Sequence, residues 1–236
     1  MKKIILSAFV IFSFSVKSQI KAMTEDGKEI VLFDNKTWKF VNDSDEKALE
    51  TISTNEQPYE KAKEATFLVK SKKVDGGIYY NPKVWKIIKT EFNFPSLEQV
   101  FTNVSNSNIF ALFTSENAPV QTLKNLKDLV IASVQKNATY FRLKEAEYRT
   151  INNIKVLHMK YSVNAKGLDF EYMGNYYLTS DGYCSITAYT FVNKYDENKK
   201  AMENFINGIA KVEKNQVTEA IEVAPPPPPM SSKKTK

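Results

Sequence analysis

The sequence predicts an α+β protein in which amphipathic helices lie on an antiparallel sheet, with a small β-meander ahead of the main domain. Three observations predict it. Four long β-prone segments follow one another between Phe141 and Val192, and the links between them are only two or three turn-forming residues, which forces neighbouring strands to run antiparallel. An amphipathic helical pattern precedes these strands and another follows them. The strands are apolar on both faces, Phe170, Tyr172, Tyr176 and Leu178 alternating with Met173 and Tyr177, so both sides of the sheet require cover.

In chain order, residues 19–41 read as three short strands reversed at Asp26-Gly27 and at Asp34-Asn35-Lys36. Residues 42–65 are polar and interrupted by Pro58, and read as a linker. The main domain is expected over 66–214, about the size of one core. Phe67–Lys72 and Ile78–Tyr80 read as strands joined through Asp75-Gly76-Gly77, and a turn at Pro82 leads to a β-prone run from Trp85 to Thr90. Pro95–Val104 reads as a helix, because Leu97, Val100 and Phe101 recur at spacings of three and four. Ile109–Thr114 reads as a strand. A helix follows to about Asn137, with Pro119 in its first turn and Val120, Leu123, Leu126, Val130 and Val134 on one face. The four long segments are Phe141–Thr150, Lys155–Val163, Leu168–Thr179 and Tyr183–Val192, turning at Asn152-Asn153, Ala165-Lys166-Gly167 and Ser180-Asp181-Gly182. A last helix from Glu197 to Val212, capped by Asp196, carries a stripe of Met202, Phe205, Ile206, Ile209 and Val212. Residues 215–236 hold five consecutive prolines, Pro225 to Pro229, which favour extended polyproline II, and read as a disordered tail.

The first eighteen residues have the layout of an export signal: Lys2 and Lys3, an apolar run from Ile4 to Val16, and a small polar end at Ser18. The run is shorter than the roughly 18 residues a membrane-spanning helix needs, and the only cysteine, Cys184, is far from the cleavage point, so no lipid or membrane anchor is expected. The mature chain is expected in the periplasm or secreted. Of the 33 basic residues three lie in this segment and no acidic one does, so the mature chain carries 30 against 27 and a net charge of +3. That modest excess argues against nucleic acid as a partner. A single cysteine leaves the fold to rest on its core, without an internal disulfide.

The segments IYYNPKVWKI, INNIKVLHMKYSVNAKGLDFEYMGNYYLTSDGYCSITAYTF and YDENKKAMENFINGI resemble the PsbP-like superfamily, the fold shared by the photosystem II extrinsic protein, a Ran-binding import factor and DcrB-type bacterial envelope proteins. The resemblance covers about Phe67 to Ile209 and rests on Pro82-x-x-Trp85, the long meander, and a last helix ending at Asn207-Gly208. It implies an α-β-α sandwich around an antiparallel sheet. No metal residue carries over, since the chain has one histidine and no matching carboxylate cluster. The Ran-binding role does not fit an exported chain.

Candidate chemistry is sparse. His158 shares a strand face with Val156, Lys160 and Ser162; a general base there would need a nucleophile or carboxylate brought from elsewhere, such as Glu145 or Asp169. Otherwise it is a partly exposed strand residue. Cys184, in an apolar run, reads as a small buried hydrophobe. The pairs Glu145/Glu147 and Asp169/Glu171 each share a face and read as solubilising charges of edge strands. No zinc, nucleophile-elbow, redox or phosphate-loop motif is present, so neither an enzyme nor a cofactor is expected. Tyrosines suit pockets and interfaces that are dry at one end and wet at the other. The aromatic cluster Phe170, Tyr172, Tyr176, Tyr177, Tyr183 and Tyr189 is the one feature suited to binding, and within it Tyr172, Tyr176 and Tyr177, with His158 from the preceding strand, are the ligand-binding candidates. The expectation is a non-enzymatic envelope protein that binds a protein partner or a small ligand. Two alternatives remain: an envelope hydrolase using His158 with a carboxylate, and a structural adaptor acting through the proline-rich tail.

Overall fold

The computed structural model describes residues 20–24, 29–32, 38–40, 51–90 and 94–214. The expected export signal and proline-rich tail lie outside the described residues. Among them, three short strands, β1 (Ile20–Met23), β2 (Glu29–Leu32) and β3 (Trp38–Phe40), pair antiparallel in that order.

The body of the fold is mixed α+β, dominated by one large and mostly antiparallel sheet. Its strands are β4 (Ser53–Tyr59), β7 (Trp85–Ile88), β8 (Leu97–Asn103), β9 (Phe110–Glu116), β10 (Tyr140–Ile151), β11 (Ile154–Ala165), β12 (Leu168–Leu178) and β13 (Tyr183–Phe191), in the order β4-β10-β11-β12-β13-β9-β8-β7. The central hairpins turn on two-residue loops with both φ angles positive: Asn152 (47°) and Asn153 (64°), then Lys166 (54°) and Gly167 (82°). Such turns match the twist of the strands they join. A smaller sheet holds β5 (Phe67–Lys70), β6 (Gly77–Tyr80) and β14 (Ile209–Ala210), in the order β14-β6-β5.

Two segments differ from their sequence reading. Ser53–Tyr59, read within a polar linker, is the edge strand of the large sheet and pairs in parallel with β10. Its polar composition and Pro58 suit an edge, where proline breaks no ladder. Leu97–Asn103, read as helix, is strand β8. A register shift between Leu97 and Gln99 interrupts its alternation, and its last four residues are all buried, so apolar spacings of three and four arise in an extended chain.

Among the described residues, two α-helices accompany the sheet. Helix α1 (Leu123–Gln135) starts later than its pattern suggested, because the Thr122 hydroxyl accepts the Asn125 amide at 3.1 Å and caps it there. Helix α2 (Tyr195–Ile206) has no side-chain cap, Asp196 standing within its first turn rather than before it. It stops at Asn207-Gly208, well short of Val212. There the Tyr79 amide donates to the Gly208 carbonyl at 2.8 Å, and a Cβ on Gly208 would stand 2.0 Å from the Tyr79 oxygen, so only glycine permits the approach. The Asn152 amide group donates to the Asn207 and Ile209 carbonyls at 2.8 and 2.7 Å, tying the helix end to the β10–β11 turn.

The core has two parts. Ile151, Val156, Met173, Ile186 and Ala188 from the large sheet pack with Met202, Phe205 and Ile206 of α2. The alternate side chains, among them Leu143, Leu157, Met159, Tyr161 and Tyr176, pack with Leu126 and Val130 of α1. Eight strands about 4.8 Å apart make a face roughly 34 Å wide, whereas one helix is about 10 Å across. Helix α1 packs on β10, β11 and β12 and leaves part of β13 and β9 beside it uncovered.

Candidate functional site: a tyrosine-lined cavity beside helix α1

Where α1 ends its cover, the sheet and the helix border an open cavity of about 860 Å³. Its floor comes from alternate residues of four adjacent strands. Phe110, Tyr189, Tyr172 and Tyr161 are cross-strand partners in one row over β9, β13, β12 and β11; the last three line the cavity, Tyr161 only 3% exposed, and Phe110 stands beside it. Their rings stack at centroid distances of 5.6, 4.9 and 5.2 Å with interplanar angles of 23°, 21° and 6°. Cross-strand aromatic pairs of this kind stabilise a sheet; here they also put ring edges and phenol tips on one surface. Opposite stand Leu129, Val130, Ser133 and Val134 of α1, while Leu112, Ser185 and Thr187 complete the floor.

Among the described residues, the polar side chains that line the cavity are hydroxyls, one amide and one carboxylate. The Thr114 and Ser185 hydroxyls bond each other at 2.7 Å, and the Tyr161 and Tyr176 hydroxyls lie 3.3 Å apart. The one acid, Glu116, accepts the Tyr183 hydroxyl at 2.9 Å. No described side chain hydrogen-bonds the Tyr172 or Tyr189 hydroxyl. Burial raises the pKa of Tyr161, Tyr172, Tyr176 and Tyr189, so these phenols stay protonated and remain donors. A ligand suited to this lining is uncharged and largely apolar, with an acceptor for a phenol.

The four candidate residues divide between the two faces of the sheet. Tyr172 and Tyr176 line the cavity. Tyr177 faces the other way, pairing with Cys184 and packing against the α2-side core. His158 is on that same opposite side and is not a partly exposed strand residue but 2% exposed. Its Nδ1 lies 2.8 Å from Asn175 Oδ1, and the Asn175 amide group donates to the Ile206 carbonyl at 3.0 Å. This leaves Asn175 Oδ1 as acceptor and Nδ1–H as donor. Burial, reinforced by the Arg149 charge, pushes the His158 pKa down to about 3, far from the value near 7 that a general base needs. Tyr183 and Tyr189 of the aromatic cluster also line the cavity; the sequence reading does not single out Tyr161, Ser185 or Thr187, although strand alternation puts Ser185 and Thr187 on the face of Tyr189.

The carboxylates do not decorate edge strands. Glu171 is 1% exposed on the central strand β12, and its Oε2 accepts Lys144 Nζ at 2.7 Å and Ser162 Oγ at 2.6 Å. Glu145, Glu147 and Glu203 surround the buried Arg149, whose guanidinium also lies over the Tyr59 ring at 4.8 Å. Cys184 is buried and its thiol is pushed up to about 12 by burial, leaving it in the unreactive form. No group of three or more His, Cys, Asp or Glu among the described residues is placed to hold a metal ion. No helix among them is long and apolar enough to cross a membrane.

No family model matches the sequence, and no curated protein matches it. Among solved structures, the chain is similar to cyanobacterial PsbP (CyanoP) from Synechocystis sp. PCC 6803, with 12% identity, 64% of this chain and 94% of that one covered, and a TM-score of 0.49. It is similar to LpqN of Mycobacterium tuberculosis, a protein involved in cell envelope biogenesis, with 12% identity, 55% and 79% covered, and a TM-score of 0.38. A Bacteroides thetaiotaomicron structure is similar at 12% identity over 63% of this chain and 51% of its own, with a TM-score of 0.39. One of these neighbours is a PsbP, the family that the sequence segments resemble.

Proposed function

We propose that this chain is an exported, non-enzymatic protein of the cell envelope, and that the cavity between α1 and the sheet binds a small, uncharged and mainly apolar ligand. The observation that carries the reading is the cavity itself: about 860 Å³, within the range of small-molecule sites, with a stacked aromatic floor and two phenol donors that no described side chain uses. In this reading the helices and the large sheet form an α-β-α sandwich whose α1 side is left partly open for the ligand. Export rests on the layout of residues 1–18. The non-enzymatic reading rests on His158, which is held neutral and bonded to an asparagine rather than to a nucleophile or carboxylate.

The test is a fluorescence titration of the mature chain with N-phenyl-1-naphthylamine, an uncharged apolar probe. Saturable binding is expected, and a charged analogue such as a naphthalene sulfonate should bind at least tenfold more weakly. Leu129→Trp on the helix wall, 42% exposed and so tolerant of a larger side chain, should weaken binding about tenfold or more at unchanged melting temperature. Equal binding by wild type and Leu129→Trp would remove the cavity as the site.

A further inference from the structure

We infer that the aromatic row flooring the cavity is an acceptor for polyproline and that its occupant is the chain's own run, Pro225–Pro229. The inference rests on the cavity being open to ligands, as proposed above, but not on any foreign ligand being bound. Three observations carry it.

The first is chemical. A polyproline segment offers backbone carbonyls with no N–H to satisfy, and it is recognised by aromatic-lined grooves. Of the row Phe110–Tyr189–Tyr172–Tyr161, Tyr189 and Tyr172 present such a surface within the cavity and Phe110 continues it beside the cavity, while Tyr161, 3% exposed, lies in the core; the Tyr172 and Tyr189 hydroxyls supply donors without a described side-chain partner. The rings lie face to face, so what they present is edges and phenol tips, which suits carbonyl acceptors better than a flat sugar or nucleobase.

The second is dimensional. The accessible rings cross three adjacent strands, two intervals of about 4.8 Å or roughly 10 Å, and five residues of polyproline II extend about 15 Å at 3.1 Å each. A five-proline run is long enough to cover these rings.

The third is where the chain leaves the described fold. The Lys214 amide donates to Asp75 Oδ1 at 3.1 Å, and its ammonium bonds Asp181 at 3.0 Å. Asp181 is two residues from Tyr183, which with its partner Glu116 closes one end of the cavity. From Tyr183 to Tyr189 along β13 is about 20 Å. Lys214 stands beside Asp75 on the α2 side of the sheet, with Val74 and Cys184, so the ten residues 215–224, which reach up to roughly 33 Å, have to pass the β12–β13 turn at Asp181 before following β13 to the row. The contact puts the chain's own tail in competition with any ligand of the cavity.

The experiment uses the full mature chain with a nitroxide on Met230→Cys, the native Cys184 being buried and unreactive. Docking should selectively broaden the amides of Leu112, Ser133 and Thr187, and spare those of Val74 and Ile206 on the other side of the sheet. Pro226→Ser with Pro228→Ser should abolish the effect. Uniform or absent broadening at the cavity would overturn the inference. Broadening of an isotope-labelled chain by a separate spin-labelled copy, with none within one chain, would overturn it in favour of a second molecule as host. Failure of the ligand reading has a different signature: a chain ending at Lys214 would bind no apolar probe, while the relaxation result would still decide the docking.

Discussion

Glu171→Ala destabilises the fold by about 3–5 kcal/mol, the usual cost of removing one partner from a buried ion pair. Glu171 is nearly inaccessible, and its Oε2 holds Lys144 and Ser162 while its Oε1 lies 3.9 Å from Lys160. Alanine leaves two ammonium groups, 33% and 22% exposed, facing the same region without their counter-charge. Against a total stability of about 5–15 kcal/mol for a typical domain, this is the largest single-residue effect expected here. Urea unfolding of the mature chain measures it, and a loss below about 1 kcal/mol would show that the network contributes little. The triple change of Glu171, Lys144 and Lys160 to methionine should recover much of the loss, because it removes the unpaired charges along with the pair.

Acid weakens the fold through His158 in a window where ordinary carboxylates do not yet titrate. The imidazole is held at about 3 by burial and by Arg149, against about 6.5 in an unfolded chain. As pH falls below 6.5 the unfolded state takes up a proton that the native state refuses. Stability is therefore lost with falling pH, at up to about 1.4 kcal/mol per unit, until the native pKa is reached. His158→Gln keeps a donor for Asn175 and removes the titration. Between pH 6.5 and 5 the wild-type stability curve should fall more steeply than that of His158→Gln by this amount. Parallel curves would contradict the burial of a neutral imidazole.

The long strands were legible because local chemistry suffices for them. Alternating apolar residues and the turn pairs Asn152-Asn153 and Lys166-Gly167 specify β10, β11 and β12 with little help from elsewhere. β8 was not legible, because the irregularity between Leu97 and Gln99 breaks the period of two. β4 was not legible either: it is polar because it is an edge, and its parallel pairing with β10 joins segments some ninety residues apart. The site was half legible. Tyrosine content pointed to β12, and parity separates Tyr172 and Tyr176 from Tyr177. That Tyr172 and Tyr176 face a cavity, whereas His158 faces a packed interior, depends on how far α1 extends over the sheet, a tertiary fact with no local signature. Glu171 shows the same limit, since its charge is matched by Lys144 two strands away.

The central claim, that ligand enters between α1 and the tyrosine row, is tested most directly by labelling the twelve tyrosines with 3-fluorotyrosine, assigning them by Tyr→Phe changes, and titrating the apolar probe. The ¹⁹F resonances of Tyr172 and Tyr189 should move in saturable fashion while that of Tyr177, across the sheet, stays still. Movement of Tyr177 with Tyr172 and Tyr189 unchanged would place the site on the wrong face and contradict the account.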